Sequence, residues 1–311
     1  MARDYDLVLV THNGDIPGWT ARKRREGSRL KFVFELVDSY FTQTGLARRH
    51  LKGAARRVLG IDSRVSLDFM RTLAAACEAA DAVICSTEEQ AAIIRGFNAN
   101  VHLSFDYFGD ELGPAKVDFG RPGKLRIAWE GQSTTLPNLQ VIRGVLNEVK
   151  NMVELHVITD PQIHRFFGRF GSYPAMRALE GIECDKHFHA WNRATFSRLV
   201  TDCDVAVIPI DQSNALWWGK PENKLVLLWQ LGMPVLTSAT PVYHRVMERA
   251  GVDMSCRNDG DWRRGIELLI TAPPADLAGI SAQCRLYAAT AYSKGAFVGR
   301  FDAVLSSIGI A

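Results

Sequence analysis

Short apolar runs recur along this chain, each closing on a polar loop and each followed by a stretch of helical character, and that alternation leaves few folds open. DLVLVTHNGD (residues 6–15), LKFVFELVDSYF (30–41), DAVICSTEEQAAIIRGF (81–97) and VHLSFDYFG (101–109) carry it through the first third, with a helix expected over 66–80. It restarts at KLRIAWEGQS (124–133) and continues through VELHVITD (153–160), DVAVIPID (204–211) and PVLTS (234–238). NLQVIRGVLNEVKN (138–151) and RATFSRLVTDC (193–203) read as the helices between them. Strands separated by helices pair in parallel, with helices covering both sheet faces. The expected fold class is therefore α/β, with two Rossmann-like, doubly wound parallel-sheet domains facing a cleft.

Between the two series, GPAKVDFGRPGK (113–124) lacks periodicity and concentrates Gly and Pro, the composition of a connection. We expect an N-terminal domain over 1–115, a linker over 116–124, a C-terminal domain over 125–290 and a last helix over 291–311 that crosses back. At 311 residues with 47% hydrophobic and 23% charged positions, two globular domains are the natural division. The six cysteines show no C-x-x-C spacing, and Cys77, Cys85 and Cys203 sit in or beside apolar segments, as reduced buried thiols do. No leader pattern opens the sequence and no apolar stretch approaches the roughly 18 residues of a span, so a cytoplasmic protein with at most peripheral membrane contact is expected. The net charge of +3 is uneven: residues 1–65 carry +6, mostly in RKRR (22–25) and ARRHLKGAARR (47–57). This 22–57 region reads either as a basic face toward anionic lipid or a charged acceptor, or as a solvated surface. Nucleic acid is not an expected partner.

In open parallel sheets, ligands sit beyond the carboxyl ends of the strands. The residues expected there are His12, Asn13 and Asp15; Asp38 and Tyr40; Ser86 and Thr87; Gly131, Gln132 and Ser133; Asp160; and the stretch 211–224. Within that stretch, Pro221 suits a first helical turn and Gly232 a helix end, which predicts a helix over 221–231 that is apolar nearly all round. Only its N-terminus can meet solvent or a ligand. Unpaired amides, the positive end of the helix dipole, Lys220 and Lys224 make that end either a phosphate site or a solvated helix start. Asn223 adds a polar side chain. In EGQSTT (130–135), Gly131 removes a side chain where something must approach, and Gln132 and Ser133 offer hydrogen bonds to phosphate or hydroxyl oxygens. Trp217 and Trp218 in NALWWGK (214–220), and Trp191, read as core or as platforms for a base or sugar ring. HFH (187–189) puts two imidazoles on one strand face with no third ligand in view, so no metal is expected. G-x-G-x-x-G, G-x-x-x-x-G-K-[ST], H-E-x-x-H and G-x-S-x-G are all absent, which removes the main sequence support for Rossmann dehydrogenases, P-loop NTPases, zincins and α/β-hydrolases.

DCDVAVIPI (202–210) followed by NKLVLLWQLGMPVLTS (223–238) is similar to the C-terminal domain of GT-B glycosyltransferases, in particular the retaining family 4 group. DLVLVTHN, KFVFELVDSYF and ADAVICSTEEQAAI resemble successive units of that fold's acceptor domain, and YSKGAFVGRF (292–301) its closing helix. The resemblance implies a nucleotide-diphosphate sugar bound mainly by the C-terminal domain and a glycan, lipid-linked or small-molecule acceptor held mainly by the N-terminal one. It places Gly131 beneath the diphosphate, Asn223 and Lys224 at the phosphate-binding helix, and His12 and Asp38 toward donor sugar or acceptor. The family's paired glutamates fall at Gly219 and Leu227 here, leaving Glu222 as the nearby ribose candidate, and the N-terminal domain is reduced.

The implied activity is metal-independent glycosyl transfer, hexosyl in type, with no cofactor besides the sugar-nucleotide donor and with polysaccharide biosynthesis as its setting. Lys220, Lys224 and the helix amides would stabilise the departing diphosphate. His12, Asp15 or Asp38 would act as general base in an inverting reaction. Three alternatives remain: a sugar-nucleotide epimerase or hydrolase, a non-catalytic sugar-nucleotide binding protein that keeps the fold, and a phosphate-binding α/β regulator.

Overall fold

A computed structural model describes residues 5–42, 56–57, 59–64, 68–108, 110, 112–121, 123–164, 171–213 and 219–310. The described residues form two compact units, one drawn from 1–106, 214–221 and 294–311, the other from 107–213 and 222–293.

The first unit is built on four parallel strands in consecutive order: β1 (Leu7–Thr11), β2 (Lys31–Leu36), β3 (Ala82–Cys85) and β4 (Val101–Leu103). Right-handed crossovers that always advance in one direction leave their helices on one face. Phe32, Phe34 and Leu36 point to that face and bury against Ile16 of the helix Ile16–Glu26, Leu73 of Phe69–Ala79 and Ile94 of Glu88–Ile94. The alternate residue Val33 joins Ala82 and Ile84 on the other face, and there the cover is Val304 and Ile308 from the end of the chain. The helix Lys294–Ser307 thus buries a face that no crossover reaches.

One β2 residue breaks the apolar run. Glu35 is half-buried, and lost hydration together with the nearby Asp106 raises its carboxyl above the ordinary value. Burial raises Asp106 as well.

The second unit carries a six-stranded parallel sheet. Its strands are β5 (Leu125–Glu130), β6 (Val153–Thr159), β9 (Asp185–Ala190), β10 (Val205–Ile208), β11 (Val235–Ser238) and β12 (Ser255–Cys256), in the order β12-β11-β10-β5-β6-β9. β7 (Gln162–His164) and β8 (Ser172–Pro174) form a separate antiparallel pair. From β5 the chain builds outward to β6 and β9, then returns to β10 on β5's other side, so the strand order reverses between β5 and β10. In open parallel sheets such a reversal is where the connecting loops splay apart and where ligands sit, beyond the carboxyl ends of the strands.

Between β10 and β11 runs the helix Asn223–Gln230, whose Leu225, Val226, Leu228 and Trp229 are buried. It is shorter than the apolar pattern predicts, because Glu222 takes the N-cap and Leu231 the C-cap. Gly232 ends the segment at φ +76°, where a Cβ would stand 3.0 Å from the Lys116 carbonyl. The helix expected over 138–151 begins instead as a 3-10 stretch, Ser133–Ile142, with Pro137 inside it, and becomes α-helical only over Arg143–Glu148. Proline at that point removes an intrahelical donor.

All six cysteines are buried and unpaired. Burial pushes the thiols of Cys77, Cys85, Cys203, Cys256 and Cys284 up to about 12, which keeps them protonated and inert. Among the described residues, no helix is long and apolar enough to cross a membrane.

Two substitutions test these features by urea denaturation. Gly232→Ala destabilises by at least about 1–2 kcal/mol, the cost of an L-residue in left-handed backbone. Gly279→Ala, on exposed helix with nothing near its Cβ, instead gains roughly 0.5–1 kcal/mol. For Glu35 the folded-state pKa is raised, so in the window between the ordinary 4.5 and the raised value the native state binds more protons than the unfolded one. Stability then falls as pH rises through that window. Glu35→Gln, which mimics the protonated form, raises the urea midpoint at pH 7, and the gain shrinks as pH falls toward 4.5. An equal gain at both pH values contradicts this account.

Candidate functional site

At the β5–β10 reversal of the second unit, one interaction organises the residues. Lys224, in the first turn of the helix Asn223–Gln230, turns its ammonium onto the end of β5 and donates to the Glu130 carbonyl. The Glu130 carboxylate lies 3.9 Å from the same nitrogen, and the Trp129 ring centroid 5.2 Å. Loss of hydration lowers the Lys224 ammonium below its usual range, with Glu130 opposing that shift. Glu130 Oε2 is buried and has no hydrogen-bond partner among the described residues. A cation with one firm acceptor and an electrostatic counter-ion beyond hydrogen-bond reach retains the capacity to bond a further anion.

Gly131 follows directly, and its lack of a side chain has a specific cause: a Cβ there would overlap the Lys224 ammonium and stand 3.1 Å from Thr135 Oγ1. The Thr159 hydroxyl, at the end of β6, donates to the Gly131 carbonyl at 2.5 Å and pins the turn. Gln132 is exposed, and its carbonyl accepts from the Thr135 amide and hydroxyl, both at 2.8 Å. Ser133 is buried and spends its proton on the Gln162 carbonyl at 2.8 Å. Gly131 and Lys224 are thus brought into contact, with Gln132 and Ser133 following in the same loop and Asn223 preceding Lys224 on the helix. Lys220 is grouped with the first unit, where its neighbour Gly219 accepts from the Ser39 hydroxyl at 2.6 Å.

Glu222 departs from its expected role. It is fully buried, and its carboxylate accepts from Tyr292 OH at 2.8 Å. Its charge raises both Tyr292 and the buried Tyr243 further above the ordinary phenol range, after burial itself. A carboxylate so enclosed presents no surface to a ribose. Trp191 is exposed just past the end of β9, its ring 6.4 Å from that of Phe196. Trp217 and Trp218 lie outside the described residues.

In the first unit, the carboxyl ends of β1 and β2 bring His12 and Asp38 together, Nε2 to Oδ2 at 3.8 Å. Tyr40 OH donates to the same Asp38 oxygen at 3.1 Å, and the Gln90 amide donates to the Asp38 carbonyl at 2.9 Å. Asp15 is otherwise occupied: its Oδ1 accepts from the amides of Gly18 and Ser63, each at 3.0 Å, so it serves as a helix cap. Ser86 and Thr87 are buried and bonded to Gln90, the first through its amide and the second through its hydroxyl.

The basic 22–57 region is not a uniform outward face. Lys23 is buried and bonds the carbonyls of Gly27 and Leu30 and the Asp81 carboxylate. Arg56, also buried, pairs with the enclosed Asp62 and clamps the carbonyls of His12 and Gly14 at 2.9 and 2.6 Å. Residues 43–55 lie outside the described set. Arg56 therefore positions the His12 turn, a role that a run of basic letters conceals. Glu35, Glu130, Thr159 and Arg56 all escaped the sequence reading of the sites, although Glu130 sits in the very loop it singled out.

Neither a protein-family model nor a curated protein sequence matches this chain. Its backbone, however, is similar to those of solved sugar-transferring enzymes. Sucrose-phosphate synthase from Thermosynechococcus elongatus superposes with a TM-score of 0.69 at 12% sequence identity, covering 98% of this chain and 74% of its own. Anabaena HepE, solved with UDP and glucose, gives 0.64 at 13%, covering 97% and 78%. TarM gives 0.63 at 10% and covers 97% of this chain, which spans about half of TarM's own length (54%). At these identities the likeness establishes the fold alone: two parallel-sheet, Rossmann-like units of the GT-B class, the first of them small.

Proposed function

We propose that the chain is a glycosyltransferase that takes a hexosyl group from a nucleoside-diphosphate sugar. The observation that carries this reading is the Lys224 ammonium held beneath Gly131 at the β5–β10 reversal, where the missing Cβ leaves the loop backbone and the cation open to one anion. The helix Asn223–Gln230 adds amides and the positive end of its dipole to the same spot. In glycosyl transfer the bond from the anomeric carbon to the diphosphate breaks and charge accumulates on the leaving oxygens. Donors fixed in advance at that point lower the barrier by several kcal/mol, on the order of about 3–4 for one oxyanion donor.

The acceptor hydroxyl attacks the anomeric carbon and loses its proton to a base. We assign that role to His12, whose Nε2 lies 3.8 Å from the Asp38 oxygen that accepts from Tyr40 OH. Metal independence is part of the proposal, because Lys224 and the helix amides supply the charge a metal would. The Asp-x-Asp triplet at 202–204 is committed elsewhere, Asp202 to Arg198 at 3.1 Å and Asp204 to Arg126 at 2.7 Å. UDP is the first donor nucleotide to test, since HepE and a TarM variant of similar fold were solved with UDP. The acceptor is a glycan, a lipid-linked sugar or a small hydroxyl compound. Cytoplasmic polysaccharide biosynthesis is the proposed setting, with membrane association through exposed residues of the basic region.

One observation favours a second reading, a sugar-nucleotide binding protein without transfer: Gly219 and Leu227 stand where the family carries glutamates, and Glu222 is sealed against Tyr292. Calorimetry with UDP, GDP, ADP, TDP and CMP, followed by NMR of the anomeric proton of the matching nucleotide sugar, separates the two. A nucleoside diphosphate binds, and Lys224→Met and Gly131→Ala each weaken it about 10- to 100-fold, the worth of one charge-assisted hydrogen bond. Transfer or donor hydrolysis then marks an enzyme, and binding without turnover the second reading. If no nucleotide binds, both fail.

A further inference from the structure

On one face of the second unit's sheet, β6 and its edge neighbour β9 assemble four polar side chains that the donor-site reading does not use. The strands pair in parallel with Glu154 opposite Asp185, His156 opposite His187 and Ile158 opposite His189. Successive strand residues point to opposite faces. Val153, Leu155 and Val157 accordingly bury in the core, while Glu154 and His156 share the other face with His187 and His189.

The geometry there is that of a ligand set. His156 Nε2 lies 3.3 Å from Glu154 Oε1, and His187 Nε2 lies 3.6 Å from Glu154 Oε2. One atom from each of the three residues falls within 4.8 Å of the others. Two ligands bound at about 2.0–2.1 Å in tetrahedral directions stand roughly 3.3–3.4 Å apart. The two Glu154 contacts, one to each carboxylate oxygen, are close to that spacing, while the His156 and His187 rings stack with centroids 4.6 Å apart and turn to share an ion.

A separate contact favours the right tautomer. His156 Nδ1 lies 3.2 Å from His189 Nε2. In the tautomer where Nδ1 donates to His189, the Nε2 lone pair of His156 is free for an ion that replaces its contact with Glu154. Nearby cations are neutralised by partners of their own: Lys124 by Asp185 and Arg126 by Asp204, both at 2.7 Å. His187 is 48% exposed in its side chain, which keeps a fourth coordination position open to water.

We propose that Glu154, His156 and His187 bind one zinc-class divalent cation, with His189 as the residue that positions the His156 imidazole. Two histidines and a carboxylate are borderline ligands of the kind zinc accepts, and a zinc site with three protein ligands keeps its fourth place for water. The ion would tie the edge strand β9 to β6.

The test uses the full chain, free of any affinity tag and stripped with chelator, titrated with Zn2+ by calorimetry and with Co2+ by visible absorption. One ion binds per chain with micromolar or tighter affinity, Co2+ develops the intense bands of four-coordinate geometry, and Zn2+ raises the melting temperature. Glu154→Gln and His187→Ala remove this binding, and His189→Ala weakens it by about 10- to 100-fold, as loss of an outer-shell partner does. In chelator the three variants melt with the wild type, which shows that they fold. Absence of binding, binding at several weak sites, or one-to-one binding that survives both ligand substitutions overturns the proposal.

Discussion

A largely buried ammonium on a helix's first turn, bonded to the last carbonyl of a strand, sets most of what the second unit can be. Lys224 cannot reach the Glu130 carbonyl unless the residue after Glu130 lacks a side chain, and Gly131 meets that condition. It cannot sit so deep without loss of hydration, which the Glu130 carboxylate only partly offsets. The helix behind it is apolar enough to stay buried, so the lysine's position is fixed by packing at Leu225, Val226 and Trp229 rather than by the lysine itself. Gly232 then turns the chain into β11. Core burial thus holds in place a charge that the core alone would reject.

The first unit solves a related problem with different parts. Its candidate residues lie on turns, which have no packing of their own, so buried polar side chains anchor them. Arg56 holds the His12 turn by two carbonyls, Gln90 holds the Asp38 backbone, and Asp15 ties the start of its helix to Ser63. Each anchor is satisfied within the unit, as a buried polar group must be. The His12–Asp38 pair is left as the partly exposed end of these networks.

The alternation of apolar runs made the two parallel sheets legible, because strands buried on both faces leave a strong signal. DLVLVTHNGD and VELHVITD became β1 and β6 with little change beyond trimmed ends. Gly131 and Lys224, 93 positions apart, were readable as neighbours because both fall at strand or helix ends on the carboxyl edge of a single sheet. What distance along the chain hides was lost. Nothing in KPENKLV shows that Tyr292 will cover Glu222, and nothing in GAARR shows that Arg56 turns inward to Asp62. The HFH pair looked isolated because its polar neighbours come from β6, yet the signal was present: in VELHVITD, Glu154 and His156 interrupt an apolar run, two apart and so on one face.

The account's central claim is that the Lys224 ammonium and the Gly131 turn receive a diphosphate. A crystal structure of the chain with UDP tests it most directly. The predicted result is a diphosphate oxygen at about 2.7–3.2 Å from Lys224 Nζ, with further oxygens on the amides of residues 132 and 133, since the Gly131 amide is spent on the Ile158 carbonyl. UDP bound elsewhere in the second unit or on the first, with Lys224 still turned wholly onto Glu130, would contradict it.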